Sequence, residues 1–189
     1  VGSVNTRVSL VDIKSTEGLA VFNPCYTQDV GAARRYGFPV GAYHCFSPRP
    51  AMCQADYFLK KSRLRKGDLP PMLDVELSDR RIAAMGGRDV LFRELLVWLK
   101  EVGRRSGTTP LIYVSQAFVN RYMPFAPEEL KKYPVWVARY GEYKPYVHLL
   151  YWQLSPDGRV RGIRGDVDID VFNGSEEQFK RYLRTQTVK

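Results

Sequence analysis

Two acids, Asp74 and Glu76, sit one residue apart at the end of the apolar run in "LPPMLDVELSD", residues 69–79. In an extended strand, side chains at i and i+2 point to the same face, so both would project together while Val75 points away. At ~3.3 Å of rise per residue, their Cα atoms stand about 6.5–7 Å apart. Two carboxyls sharing a partly dry cleft push their pKa values apart. One can then stay protonated near neutral pH and donate a proton, while the other stays ionised. Glycosidic bond cleavage needs that division of labour. The plainer alternative has Asp74 capping the strand end and Glu76 in a solvated loop. A second acidic run, "GDVDIDVF", alternates Asp166, Asp168 and Asp170 with Val167, Ile169 and Val171. Alternation places all three acids on one face, and Asp166 and Asp170 read as the polar face of a half-buried strand. Divalent-metal binding by the two acidic clusters, as in a metal-dependent phosphodiesterase barrel, is a third reading. With only His44 and His148 in the chain, it has little support.

Acids at strand ends need a scaffold that brings the strands together. Apolar β-branched runs at 8–16, 40–46, 72–76, 110–115, 134–140, 149–155 and 166–172 read as strands. Helical patterns fall at 27–37, 49–64, 88–107, 127–133 and 175–184. The clearest is 88–107, where Leu91, Leu95, Trp98, Leu99 and Val102 form one stripe and Gly107 ends it. Thr27 is a candidate N-cap, and Ser175 with Gln178 a candidate capping box. Early β–α alternation implies parallel strands joined by crossover helices. Later strands follow one another with few helices between. The expected fold class is α/β: a single domain forming a flattened, helix-poor (β/α) barrel of the TIM-like kind. A full eight-unit barrel usually takes about 250 residues, so 189 is short for one. An open doubly wound sheet is the alternative, and no glycine-rich phosphate loop supports it.

Composition narrows the partners. At 44% hydrophobic, the chain can bury a substantial core. No apolar run reaches the roughly 18 residues that would span a membrane. The net charge of +9 favours anionic partners such as nucleic acid, anionic membrane or cell-wall polymer. No nucleic-acid-binding signature accompanies the scattered Lys and Arg residues. Cys25, Cys45 and Cys53 have neither zinc-site nor redox-motif spacing and read as small buried side chains. Aromatic residues make up 13% of the chain, and Tyr43, Phe46, Tyr113, Trp136, Tyr140, Tyr151 and Trp152 lie near strand ends. A saccharide cleft would use such rings for stacking on apolar sugar faces, with Tyr the better candidate where the site is wet; core packing is the alternative and is expected for about half of them.

An ordered series of segments resembles the glycoside hydrolase family 25 lysozymes, the Chalaropsis-type muramidases. The series is "IKSTEG" (13–18), "VGAYHCF" (40–46), "QADYF" (54–58), "LPPMLDVE" (69–76), "PLIYVS" (110–115), "YPVWVARY" (133–140) and "YWQLSPDGRVRGIRGDVDIDVFNG" (151–174). The resemblance implies a peptidoglycan hydrolase cleaving the β-1,4 bond between N-acetylmuramic acid and N-acetylglucosamine. It implies Glu76 as general acid and Asp74 as the group that stabilises developing charge or orients the substrate's 2-acetamido group. The family's late acidic position falls on Asp168. Tyr43, Tyr113, Tyr140 and Trp152 lie in motifs that line the family's cleft. No metal or organic cofactor is implied. The implied partner is the peptidoglycan glycan strand, met by a monomer that is secreted or held in the cell envelope. Family members carry an Asp-Val-Ser strand some tens of residues before "IKSTEG". The twelve residues ahead of Ile13 hold no such motif, so that strand and its acid are expected to be missing from this chain, either because a natural segment precedes Val1 or because this member has lost it; a non-catalytic glycan-binding relic of the same fold is the alternative function.

Overall fold

The longest helix shows how the layers of the fold form. Helix α4 (Arg88–Ser106) buries Leu91, Leu95, Trp98, Leu99 and Val102, the stripe its sequence spacing defines. Gly107 ends it at φ 67°, a left-handed conformation that glycine adopts without strain. That stripe packs on one face of a single eight-stranded sheet. The computed structural model describes residues 8–138, 147–160 and 163–189.

The sheet is built from β1 (Val11–Glu17), β2 (Val21–Phe22), β3 (Val40–Cys45), β4 (Met72–Val75), β5 (Leu111–Ser115), β6 (Pro134–Ala138), β7 (His148–Gly158) and β8 (Val167–Phe172). Its order is β2-β1-β3-β4-β5-β6-β7-β8. From β1 through β7 the core strands run parallel. Helices α1 (Tyr26–Arg35), α2 (Ala51–Ser62) and α4 make the early crossovers. The later connections carry α5 (Gln116–Arg121) and α6 (Glu128–Lys131). α3 (Asp79–Ala84) precedes α4, and α7 (Glu176–Thr185) closes the chain. The two end strands are not parallel: β2, a strand not expected from sequence, pairs antiparallel with β1, and β8 with β7. Both connections are short, and a parallel pair needs a crossover of a dozen residues or more.

The sheet curls. In a flat sheet β1 and β8 would lie roughly 29 Å apart, six spacings of ~4.8 Å. Yet the charge of Asp170 on β8 acts on Asp12 of β1. The result is a mixed α/β domain with a half-barrel sheet. Its convex face packs under the helices in one large core that includes Leu73, Val75, Ile112, Val114, Val135 and Val137. The concave face carries a second cluster of Met72, Leu111, Trp136 and Tyr151. Phe179 and Tyr182 of α7 pack against this inner cluster. Their rings lie 5.2 and 5.8 Å from Phe172, so the last helix covers part of the concavity. The expected capping box of Ser175 and Gln178 starts that helix. α1 begins a residue before the expected cap. Asn23 accepts the Cys25 amide at 3.0 Å and turns the chain there, leaving Thr27 inside the helix.

A polar knot under the sheet fixes the loop that follows β3. His44 is fully buried, stacked on Trp98 at 5.8 Å between centroids. Burial holds its pKa down at about 4, so the ring is neutral. It bonds Thr16 Oγ1 at 2.7 Å and Gln54 Oε1 at 3.1 Å. Gln54 also accepts the Ser47 amide and donates to the carbonyls of Ser47 and Arg49. The turn that leaves the C-terminal end of β3 is thereby tied to α2.

Candidate active site at the carboxyl ends of the strands

Parallel strands in register place side chains of one face side by side. Cys45 of β3 pairs with Asp74 of β4, and Asp74 with Tyr113 of β5. Val75 points the other way into the helix-facing core, as the alternation of β4 requires. Asp74 therefore lies on the concave face, buried, one residue before the strand ends. Glu76 is the first residue beyond β4 and is exposed. The two carboxyls feel each other. Burial lifts the Asp74 pKa to about 6, the Cys45 thiol opposes that rise, and the charge of Glu76 adds to it. The Cys45 thiol donates to Asp74 Oδ2 at 3.0 Å. Asp74 Oδ1 is buried and, among the described residues, has no hydrogen-bond partner.

The other expected residues distribute as follows. Tyr43 lies on the concave face, two residues before Cys45, and its phenol is pushed upward by burial and by the charges of Cys45, Asp74, Asp168 and Asp12. Tyr113 donates to Gln153 Oε1 at 2.6 Å across the concavity. Asp168 is exposed on β8, and its charge reaches both Tyr43 and Asp170. The structure thus brings Tyr43, Asp74, Tyr113 and Asp168 to one concave face, with Glu76 just beyond the end of β4 and near enough for its charge to act on Asp74. Trp152 is half-buried against the helix-facing core, on the face opposite its neighbours Tyr151 and Gln153. Tyr140 lies outside the described residues.

Four inward groups of this site were not among the expected site residues, and Asp170, read from sequence as plain polar face, instead turns inward onto Trp136. Lys14 donates to Glu17 at 2.7 Å. Burial works against its ammonium, but the contacts with Glu17 and Cys45 outweigh that and raise its pKa. Asp12 is one half of a second acidic pair, half-buried on β1. Burial, then the charge of Asp170, lifts it to about 7. Asp170 accepts Trp136 Nε1 at 2.7 Å, and burial with the charge of Asp168 lifts it to about 7 as well. Asp12 reaches over Gly41, where a Cβ would stand 1.9 Å from Asp12 Oδ1. Gln153 completes the group through Tyr113. Period-two alternation could have placed Asp12 and Asp170 on the inner face, but no local pattern pairs β1 with β8. Asp166 behaves as expected for a polar edge: it is exposed and pairs with Arg159 at 2.9 Å.

Buried and exposed carboxyls beside aromatic hydroxyls in a concavity can divide proton donation from charge stabilisation. Known proteins resemble this chain in sequence and fold. The model of the family described as glycosyl hydrolases family 25 matches residues 3–163. An uncharacterised protein, YegX, of Escherichia coli O157:H7 is 35% identical over 181 residues, covering 94% of this chain and 64% of that protein. The chain therefore spans just under two thirds of the length of that relative. Lysozyme M1 of Streptomyces globisporus is 30% identical over 194 residues, covering 92% of this chain and 65% of that protein. A solved family 25 glycosyl hydrolase from Bacillus anthracis superposes with a TM-score of 0.79 at 26% identity, covering 92% of this chain and 82% of that one. With its inner carboxyls on the same sheet and its sequence aligned through β7, this chain belongs to the family 25 glycosyl hydrolases.

Proposed function

We propose that this chain is a muramidase, hydrolysing the β-1,4 bond between N-acetylmuramic acid and N-acetylglucosamine in peptidoglycan. The observation that carries the reading is the Asp74–Glu76 pair: one carboxyl buried with a free oxygen, the other exposed beyond the strand end. Glu76, facing solvent at the mouth, protonates the leaving glycosidic oxygen. Asp74 is ionised above about pH 6 and offers Oδ1 to the 2-acetamido N–H of the sugar. That contact orients the acetamido oxygen to attack the anomeric carbon, a substrate-assisted route among glycoside hydrolases. Asp168, opposite on β8, adds negative charge facing the oxocarbenium-like centre. Tyr43 and Tyr113 border the sugar with rings and hydroxyls, whereas Trp152, expected in the cleft, is turned to the helix-facing core and takes no part in this reading. In this reading residues 1–189 form one catalytic domain on a TIM-like barrel. It acts as a monomer, without a cofactor, on peptidoglycan outside the cytoplasm. The charge of +9 suits an anionic wall polymer.

The test is release of soluble fragments from purified peptidoglycan, followed by turbidity and by identification of the new reducing ends. Wild type is expected to clear the suspension and expose muramic acid reducing ends. Glu76→Gln is expected to lower the rate by 10²-fold or more. Absence of wild-type lysis, glucosamine-type reducing ends, or full lysis by Glu76→Gln overturns the proposal.

A further inference from the structure

The register of β3 against β4 puts a thiol beside the carboxyl assigned to orient the substrate. Cys45 and Asp74 are direct partners in the parallel ladder. Cys45 Sγ donates to Asp74 Oδ2 at 3.0 Å. The other oxygen of the same carboxyl, Oδ1, is buried and unsatisfied among the described residues, and Asp74 itself is only 7% exposed. A carboxylate with one oxygen held has lost most of its freedom to rotate about Cβ–Cγ. It presents its second oxygen in one direction.

We propose that Cys45 is a positioning residue for Asp74: its thiol holds Oδ2 and so presents Oδ1 to the substrate. The inference rests on the muramidase reading for what Asp74 does, not for the hydrogen bond. Cys45 is well suited to the task because burial and the Asp74 charge push its thiol pKa upward, so it remains S–H, a donor, across the working range. A thiolate could not donate and would repel the carboxylate. Donation also favours the ionised form of Asp74, which the proposed chemistry needs. The other titratable groups around this carboxyl are Lys14 and Glu17 from β1, Tyr43 from β3, Glu76 beyond β4 and Tyr113 from β5. Lys14 favours the charged form, while Glu17 and Glu76 disfavour it. Cys45 is the group that donates a side-chain hydrogen bond to it. Contrary to the buried placement expected of all three thiols, Cys25 and Cys53 are exposed, at the start of α1 and on α2, so their replacement leaves this pair untouched.

Two readouts test the proposal. The first is the pH profile of kcat on peptidoglycan for wild type, Cys45→Ala and Cys45→Ser. Loss of the donor is expected to move the acidic limb up by roughly half to one pH unit and to lower kcat roughly 3- to 10-fold near pH 6, with KM little changed. Cys45→Ser keeps an O–H donor and is expected to restore most of both. The second readout needs no activity: the carboxyl 13C titration of Asp74. Its midpoint is expected to rise by the same amount in Cys45→Ala and to return in Cys45→Ser. An unmoved midpoint, or a serine variant that behaves like alanine, overturns the positioning role. A wild type without lysis but with the expected 13C shifts overturns the muramidase reading and leaves the thiol–carboxyl bond standing.

Discussion

Replacing Asp12 by asparagine should stabilise the protein at pH 8 and leave it nearly unchanged at pH 4. Asp12 lies half-buried on β1 facing Asp170, and its pKa is lifted from the ordinary 3.8 to about 7. An acid whose pKa is raised by folding contributes its stability in the protonated form. That stability is complete below about pH 4 and is lost as pH rises through about 7. At ~1.4 kcal/mol per unit, the shift sets a ceiling of about 4 kcal/mol on the burden at pH 8. Asp12 keeps part of its surface in water, which reduces the figure to ~1–2 kcal/mol. Asparagine has the shape of the protonated acid and cannot ionise, so it removes the burden. For a chain of this size, each kcal/mol moves Tm by about 2–4 °C. The expected gain for Asp12→Asn over wild type is about 3–6 °C at pH 8, shrinking towards zero at pH 4. Thermal unfolding followed by circular dichroism across that range measures it. Asp170→Asn should show the same trend, and the double variant should gain less than the sum, because each neutralised partner relieves the other. A gain equal at pH 4 and pH 8, or no gain at pH 8, refutes the buried-pair argument.

Two further outcomes follow from the packing. Gly41→Ala would put a Cβ 1.9 Å from Asp12 Oδ1 and should lower stability by about 1–3 kcal/mol in urea unfolding; in an Asp12→Ala background most of that loss should vanish. Gln54→Ala leaves the Ser47 amide, the Arg49 carbonyl and His44 Nε2 short of partners in a buried site, and should lower stability by about 3 kcal/mol, measured the same way.

What could be read along the chain was whatever local chemistry fixes. Leu91, Leu95, Trp98, Leu99 and Val102 declare a buried stripe because helical spacing alone puts them on one side. Ser175 and Gln178 declare a helix start because a capping box closes within four residues. Asp74 was legible for the same reason: strand alternation and a strand end place it without knowledge of any neighbour. Three short elements were not legible, although the four-residue α6 and β4 were. α3 and α5 have six residues each, and the two-residue β2 has too few positions to show a period. Their existence depends on the serines that accept the Arg81 and Phe118 amides, Ser78 and Ser115, and on the strands they follow.

Trp152 and Asp170 show where alternation helps and where it stops. On β7 the concave face takes Tyr151 and Gln153, and Trp152 turns to the helices; the period states this parity, but not which face is concave. That assignment comes only from Tyr113 reaching Gln153 and from Trp136 stacking on Tyr151 at 4.5 Å, contacts between different strands. Asp170 has the parity of Asp168, so a one-strand reading treats both alike. What separates them is depth along the strand in a sheet that curls: Asp168 stays exposed, and Asp170 meets Trp136 and lies within reach of Asp12. The curl is a property of the whole ladder, produced by twist accumulated from strand to strand. A pair formed by closing β1 towards β8 therefore has no signature in either strand. The acids at a strand's carboxyl end can be found from sequence, whereas those that face each other across the concavity need the sheet.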